Sequence, residues 1–277
     1  ATETLNRIAD QRPDAFVLRS ELASCYVSTA IILEGMGNMG DAGEARSLAV
    51  IELEKLLKRN PADYSLLPEL AGCYGVMAES ALLTGDVPAA ESLNLKALAM
   101  LDQFLQQQPN NIEGKWRKAA QLGVRAGIQR DRGFPVEAIQ DYDEGIQLLE
   151  TIRASAPDNV MASYRLALLW WQKGRVKGAE GDRNEEISLL MKAHDLIAKL
   201  RENRSPEGPR SFPLQNADAN LLSDLGDALQ LDGRKEEAVR TFTDALALWE
   251  GLLNLRPQSE EISDRLATCR QRLESLK

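Results

Sequence analysis

Four prolines, Pro13, Pro61, Pro109 and Pro157, stand 48 residues apart, and Pro257 follows 100 residues later, two periods plus four residues. A fixed period of roughly 20–50 residues marks a chain that stacks one supersecondary unit on the next, each burying its apolar face against its neighbours. The residues after the prolines repeat too. Glu21-Leu-Ala-Ser-Cys-Tyr26, Glu69-Leu-Ala-Gly-Cys-Tyr74 and Arg265-Leu-Ala-Thr-Cys-Arg270 are versions of one cluster.

Each period divides into two helices. Eight and five residues before a proline stands an apolar pair: Leu5 and Ile8, Leu53 and Leu56, Leu101 and Phe104, Leu149 and Ile152, Trp249 and Leu252. Spacing of i, i+3 is the core stripe of a helix. Residues 1–12 therefore read as the end of a helix whose start precedes Ala1, and the chain as a fragment of a longer protein. Proline ends that helix, and capping residues follow it: Asp14, Asp63, Asn110 with Glu113, Asp158 and Ser259. Pro68 makes the first helix of its repeat start late or kink. Twenty-four residues past each proline, Gly37, Gly85, Gly133 and Gly181, with Gly233 in the fifth repeat, suit the left-handed residue that closes a helix. Small residues follow, at Ala42, Ala90, Ala138 and Ala238 (Glu186 is the exception) and at Ala49, Ala97, Gly145, Ala193 and Ala245. They let paired helices approach closely. The spacing predicts helices of about 20 residues, or about 30 Å.

The fifth repeat reads Leu222-x-x-Leu225-Gly226-x-x-Leu229, then Gly233 and Ala238-x-x-x-Phe242-x-x-Ala245-Leu246. This resembles the tetratricopeptide repeat, with leucine in the Trp and Tyr slots and a period of 48 in place of about 34. Tyr74, Ala78, Gly85, Ala90 and Ala97, and Trp170, Gly174, Gly181 and Ala193, follow it more loosely. The resemblance implies an all-α, right-handed α–α superhelix built as a single array. Repeats at 13–60, 61–108, 109–156, 157–205 and 206–256 are followed by a polar capping helix at 257–277. Residues 201–214, with three prolines, read as an exposed loop. The 48-residue period and Arg19-Ser-Glu-Leu-Ala23 also resemble the C-terminal arrays of large bacterial serine/threonine kinases. That likeness implies a regulatory or substrate-recruiting region.

The composition narrows the partners. A formal net charge of −9 argues against a general affinity for nucleic acid or anionic membrane. No run of eighteen apolar residues suggests membrane insertion, and Ala1-Thr-Glu-Thr-Leu5 has no signal-peptide pattern. Cys25, Cys73 and Cys269 share one repeat slot and read as packing thiols, which suits a reducing, cytoplasmic setting. Gly35-Met-Gly37-Asn-Met-Gly40 fits a nucleotide-loop string, but a helical pattern precedes it and Gly37 is a repeat glycine, so it reads as a turn. His194 is the only histidine, so it makes neither a metal cluster nor a triad and reads as a packed helix residue. Asp141, Asp143 and Glu144 read as a solvated face. No catalytic set, cofactor or metal follows.

Charge placement offers a binding face. Lys115, Arg117, Lys118, Arg125, Arg130 and Arg132 crowd the first helix of repeat three, and Arg165, Lys173, Arg175 and Lys177 that of repeat four. First helices line the concave groove in tetratricopeptide arrays. The resemblance thus implies a groove for a protein or peptide segment, an acidic one included, with Glu79, Trp116, Arg130, Trp171 and Arg175 facing it and Gly123 and Gly127 leaving room. Two readings stay open. The basic residues grip a partner, or they balance acidic second helices through residues such as Glu137, Asp141 and Asp143. Trp116, Tyr164 and Trp170 are also at core spacing.

Overall fold

The computed structural model describes residues 16–202 and 211–276. Eleven helices and no strand occur among them. They fall into two compact units, one ending at Phe134 and the other beginning at Pro135. The first unit holds α1 (Phe16–Gly35), α2 (Met39–Arg59), a 3-10 turn (Tyr64–Leu66), α3 (Leu67–Leu83), α4 (Val87–Gln107) and α5 (Ile112–Asp131). The second holds α6 (Pro135–Ser155), α7 (Val160–Ala179), α8 (Arg183–Glu202), α9 (Ser211–Leu231), α10 (Lys235–Leu255) and α11 (Glu260–Ser275). Within each unit every helix packs on the next. Pro13, Leu5, Ile8, Asp14 and the helix tail expected over 1–12 lie outside the described residues.

Two kinds of turn alternate. The first kind follows α1, α3, α5, α7 and α9. Gly37, Gly85, Gly133, Gly181 and Gly233 all have φ between 79° and 88°. The residue after each glycine donates its N–H to the carbonyl five residues back, as Asn38 does to Leu33 and Phe134 to Gln129, both at 2.9 Å. This is the Schellman closure, and a Cβ would oppose it. The string at Gly35–Gly40 is such a turn, with Asn38 capping α2 by accepting from the Asp41 N–H.

Proline sets the second kind. Asn60, Gln108 and Arg256, each just before a proline, leave the helix at φ near −130° and ψ near 70–80°, where the proline ring pushes them. The N–H groups of Asp63, Asn111, Asn159 and Ser259 then donate to the carbonyl three residues back. A turn with proline at its second position thus delivers its fourth residue as the next cap. Asn111 and Asn159 are therefore the caps, accepting from Gly114 and Ala162 at 2.9 Å. Asn110 and Asp158, expected from sequence, stand one residue too early. Asp63 and Ser259 cap as expected. Pro68 delays its helix: Asp63 opens a 3-10 turn, and α3 starts at Leu67 with proline in its first turn.

The small residues lie where helices meet. Ala42 is 1% exposed, and Ala90, Ala138, Ala238, Ala49, Ala97, Ala193 and Ala245 are fully buried. Gly226 goes further, for a Cβ there would lie 2.6 Å from the Phe242 ring. Leu22, Tyr26, Leu53, Leu56, Leu70, Tyr74 and Leu101 share one core in the first unit. The sequence shows no run of eighteen apolar residues, yet by length and composition Phe16–Glu34 is apolar enough to cross a membrane. In the fold that helix packs on α2, with Leu22, Ala23 and Ala30 buried and Arg19 paired to Glu52 at 2.6 Å.

Two further expectations are corrected. Of the loop expected over 201–214, Arg201 and Glu202 end α8 and residues 211–214 begin α9, while 203–210 lie outside the described residues. Asp141 is not on a solvated face: it is buried on α6, while Asp143 and Glu144 are exposed. Residues 260–275 form one helix with Glu260, Glu261, Arg265, Arg270 and Glu274 exposed, and Arg272 pairs with Asp227.

Leu53 and Leu101 are fully buried in the common core. Leu53→Ala and Leu101→Ala should each lower stability by about 2–5 kcal/mol in urea melts. Unchanged melts for both would overturn this packing register.

Candidate functional site

The first helices α3, α5 and α7 carry the residues expected to bind. In the first unit the expected set does not assemble. Trp116 and Arg130 lie on one helix 14 residues apart, about 21 Å along its axis. Trp116 is half-buried, and the Arg117 guanidinium stacks 5.0 Å from its ring centroid. Glu79 is half-buried on α3. Gly127 gives no space to a ligand, because Leu82 of α3 closes on it at 3.0 Å from where a Cβ would stand. Gly75 is filled in the same way by the Gln121 amide. Asn94 in turn donates to the Gln121 carbonyl and side-chain oxygen at 2.9 and 3.1 Å.

The basic strip is tied to carboxylates. Arg117 pairs with Glu113 at 2.7 Å, Lys118 with Asp102 at 2.8 Å, Arg130 with Asp131 at 2.7 Å, and Arg132 with Glu91. On α7, Lys173 reaches Asp143 at 2.8 Å and Glu185 at 3.4 Å, while Lys177 reaches Glu185 at 3.1 Å. The hydrogen bond to Glu185 raises the Lys177 pKa. Burial pushes Glu185 up, but Lys177 and Lys173 hold it below its ordinary value. Charge balance with second helices therefore accounts for much of the strip, through Asp143 and through Asp102, Glu91 and Glu185, which sequence reading did not single out.

In the second unit the expected residues do converge. The Trp171 indole N–H donates to Asp224 Oδ2 at 2.7 Å. Arg175 Nε stands 3.6 Å from the same oxygen, with its side chain half exposed. Asp224 lies on α9, beside Asp227 and near Glu186 of α8. Burial, with Asp224 and Glu186 nearby, pushes Asp227 up to about 6 against the pull of Arg272. Burial also raises Glu186, which Arg183 holds and for which Gly178 leaves space. The Trp249 indole donates to Ser223 Oγ at 3.2 Å, which ties α10 to this part of α9.

Trp171 and Arg175 were expected here from sequence, Asp224 and Asp227 were not, and Glu186 stood out only as an exception to the small-residue slot. One signal was present. Adding the four inserted residues to the period sets Asp227 in the slot of Arg175, and Glu186 was the single departure from the small-residue slot.

Burial raises Cys73 and Cys269 to about 11, whereas Cys25 is partly exposed, and all three thiols are free. Among the described residues no group of three or more His, Cys, Asp or Glu is placed to hold a metal.

A family model described as a tetratricopeptide repeat matches residues 137–185, which span most of α6, all of α7 and the start of α8. No curated protein matches the chain. Among solved structures, BtubC (BKLC) from P. vanneervenii superposes with a TM-score of 0.57 at 17% identity, covering 90% of this chain and 86% of that one. A signal-transduction ATPase with numerous domains and a tetratricopeptide repeat sensor, from Pyrococcus horikoshii, gives 0.56 at 12% identity. It covers all of this chain, which spans 40% of that protein's length. A thermophilic tetratricopeptide repeat protein of Thermus thermophilus is also similar, at 17% identity, 90% and 99% coverage and a TM-score of 0.43. These likenesses are of fold.

A thiol reagent at pH 8 should modify Cys25 first and reach Cys73 and Cys269 only after unfolding, since burial keeps both protonated. Peptide mapping by mass spectrometry reads the order. Equal labelling of the folded protein would contradict the packing-slot assignment.

Proposed function

We propose that this tetratricopeptide repeat protein is a non-catalytic scaffold that holds a segment of another protein against its first helices. The observation that carries the reading is the convergence of Trp171, Arg175 and Asp224 across α7 and α9. Tryptophan and arginine are the side chains in which binding energy most often concentrates. The bond to Asp224 holds the Trp171 ring in place before a partner arrives, which reduces the entropy lost on binding. Arg175 is only loosely engaged at 3.6 Å and half exposed, so its guanidinium is available to a carboxylate or phosphate of the partner. Asp224 sits beside it and can orient a basic residue in the same segment. The partner is then a mixed-charge peptide with an apolar anchor, its acidic group meeting Arg175. Arg130, paired with the neighbouring Asp131, contributes less.

A second reading makes the chain a regulatory or substrate-recruiting region of a bacterial serine/threonine kinase. It rests on the repeat length and on Arg19-Ser-Glu-Leu-Ala23. Arg19 is buried against Glu52, a packing duty any long-helix array can use, so the scaffold reading stands first.

The test is to select peptides on the intact protein from a display library and titrate the best binder against variants. Trp171→Ala and Arg175→Glu should each weaken it by about 30-fold, the effect of losing about 2 kcal/mol at a hot spot, whereas Lys58→Glu should not. Binding untouched by both substitutions would move the site away from α7.

A further inference from the structure

The repeat register exposes one joint that differs from the rest. Leu22, Leu70, Leu166 and Leu266 occupy one slot of the first helices, with Lys118 in the third repeat. All four leucines are buried. In the fifth repeat that slot holds Asp218, with no exposed surface at all. On the second helices the matching slot holds Val50, Leu98, Ile146 and Leu246, and in the fourth repeat His194. Val50 and Leu70 show what the slots ordinarily do, for they share one core cluster. Where α8 meets α9, an aspartate and the chain's only histidine stand instead. His194 Nδ1 lies 2.8 Å from Asp218 Oδ1, and Arg201 bonds the other oxygen. The same joint carries the four residues by which this period exceeds the others.

We infer that His194, Asp218 and Arg201 form a proton-dependent latch between α8 and α9, which tightens on acidification and slackens as pH rises. A buried carboxylate in a leucine slot is costly unless it is paired and hydrogen-bonded. Arg201 supplies a permanent cation at one oxygen. His194 supplies a second at the other oxygen only when protonated, and its partly exposed ring can exchange that proton with solvent. The charged groups acting on the ring are Asp218 of α9 and, on α8 itself, Asp195 and Arg201. α7, also packed on α8, directs Lys173 and Lys177 to Glu185, nine residues before His194. The hydrogen bond to Asp218 outweighs burial and Arg201 and raises the histidine above its ordinary 6.5.

The sign follows. A histidine raised by folding stabilises fully below its unfolded pKa, and the stabilisation is lost as pH rises through the folded value. The window therefore opens at about 6.5 and extends upward. Asp227 acts in a different window. Its carboxyl, raised from 3.8 to about 6, contributes stability that is lost as pH climbs between those values.

Being the only histidine, His194 gives its own ring resonance in proton NMR of the whole chain. Its titration should lie above 6.5. Asp218→Asn should lower the midpoint, and Arg201→Gln, which removes a repelling cation, should raise it. Opposite shifts are not expected of residues that merely pack. If Asp218→Asn fails to fold, the parent and Arg201→Gln titrations still decide. Hydrogen exchange, corrected for intrinsic rate, should show the first turns of α9 better protected at pH 6 than at pH 8, and His194→Gln should abolish the difference. A parent midpoint at or below 6.5, a downward or absent shift in Arg201→Gln, or equal α9 protection at both pH values would overturn the latch.

Discussion

The backbone at two residues per repeat governs everything else in this chain. A residue just before proline is driven out of the helical region, and a glycine about 24 residues later takes up the left-handed conformation. Between these stops the chain has no reason to leave the helix. The proline turn does more than terminate. Its closing hydrogen bond delivers the residue two places after proline as the next cap, which makes Asp63, Asn111, Asn159 and Ser259 equivalent despite their different side chains. Helix length, hairpin geometry and the phase of the buried stripe all follow from where those stops fall.

Close approach is the second requirement, and small residues meet it in two ways. Alanines let the second helices lie against their neighbours, while several glycines admit a large group from a neighbouring helix. Gln121 enters at Gly75, Phe242 at Gly226 and the Glu186 carboxylate at Gly178. A helical glycine costs roughly 1 kcal/mol relative to alanine. At these places the cost is offset by a ring, an amide or a charge that could not otherwise fit. The same packing explains why slots expected to line a groove were filled: Gly127 is a contact for Leu82.

The fold was legible because it is periodic. Glycine turns, alanine contacts, the late start at Pro68 and the single helix after Pro257 all follow from spacing. The caps at Asn111 and Asn159 were missed by one residue because spacing does not tell which of two adjacent polar residues closes the turn. The candidate site was legible only in part. Trp171 and Arg175 stood out by type and position, but their common partner Asp224 is 53 residues from Trp171 and looks like any helix-surface acid. Basic residues were easy to count and hard to interpret, because an ion pair depends on which neighbour lies within reach. Lys118 finds Asp102, and Arg132 finds Glu91, 41 residues away.

Departure from the chain's own repeat is therefore more informative than the repeat itself. A repeat residue is explained by stacking, since its equivalents do the same work elsewhere. Asp218 in a leucine slot and Glu186 in an alanine slot are not explained that way, because each places a carboxyl where apolar contact would be cheaper. Both are met by specific partners, His194 and Arg201 in one case and Arg183 in the other. Both belong to the second unit, as do Trp171, Arg175 and Asp224. In the first unit Arg19 and Glu52 show that buried charge alone is not the distinction, for that pair is saturated, with Lys55 completing it at 2.7 Å. What sets the second unit apart is incompleteness. Arg175 is held at arm's length, Asp227 sits between neutral and charged near pH 6, and the His194 bond changes character with one proton. Groups left short of full satisfaction are those that a partner or a proton can still act on.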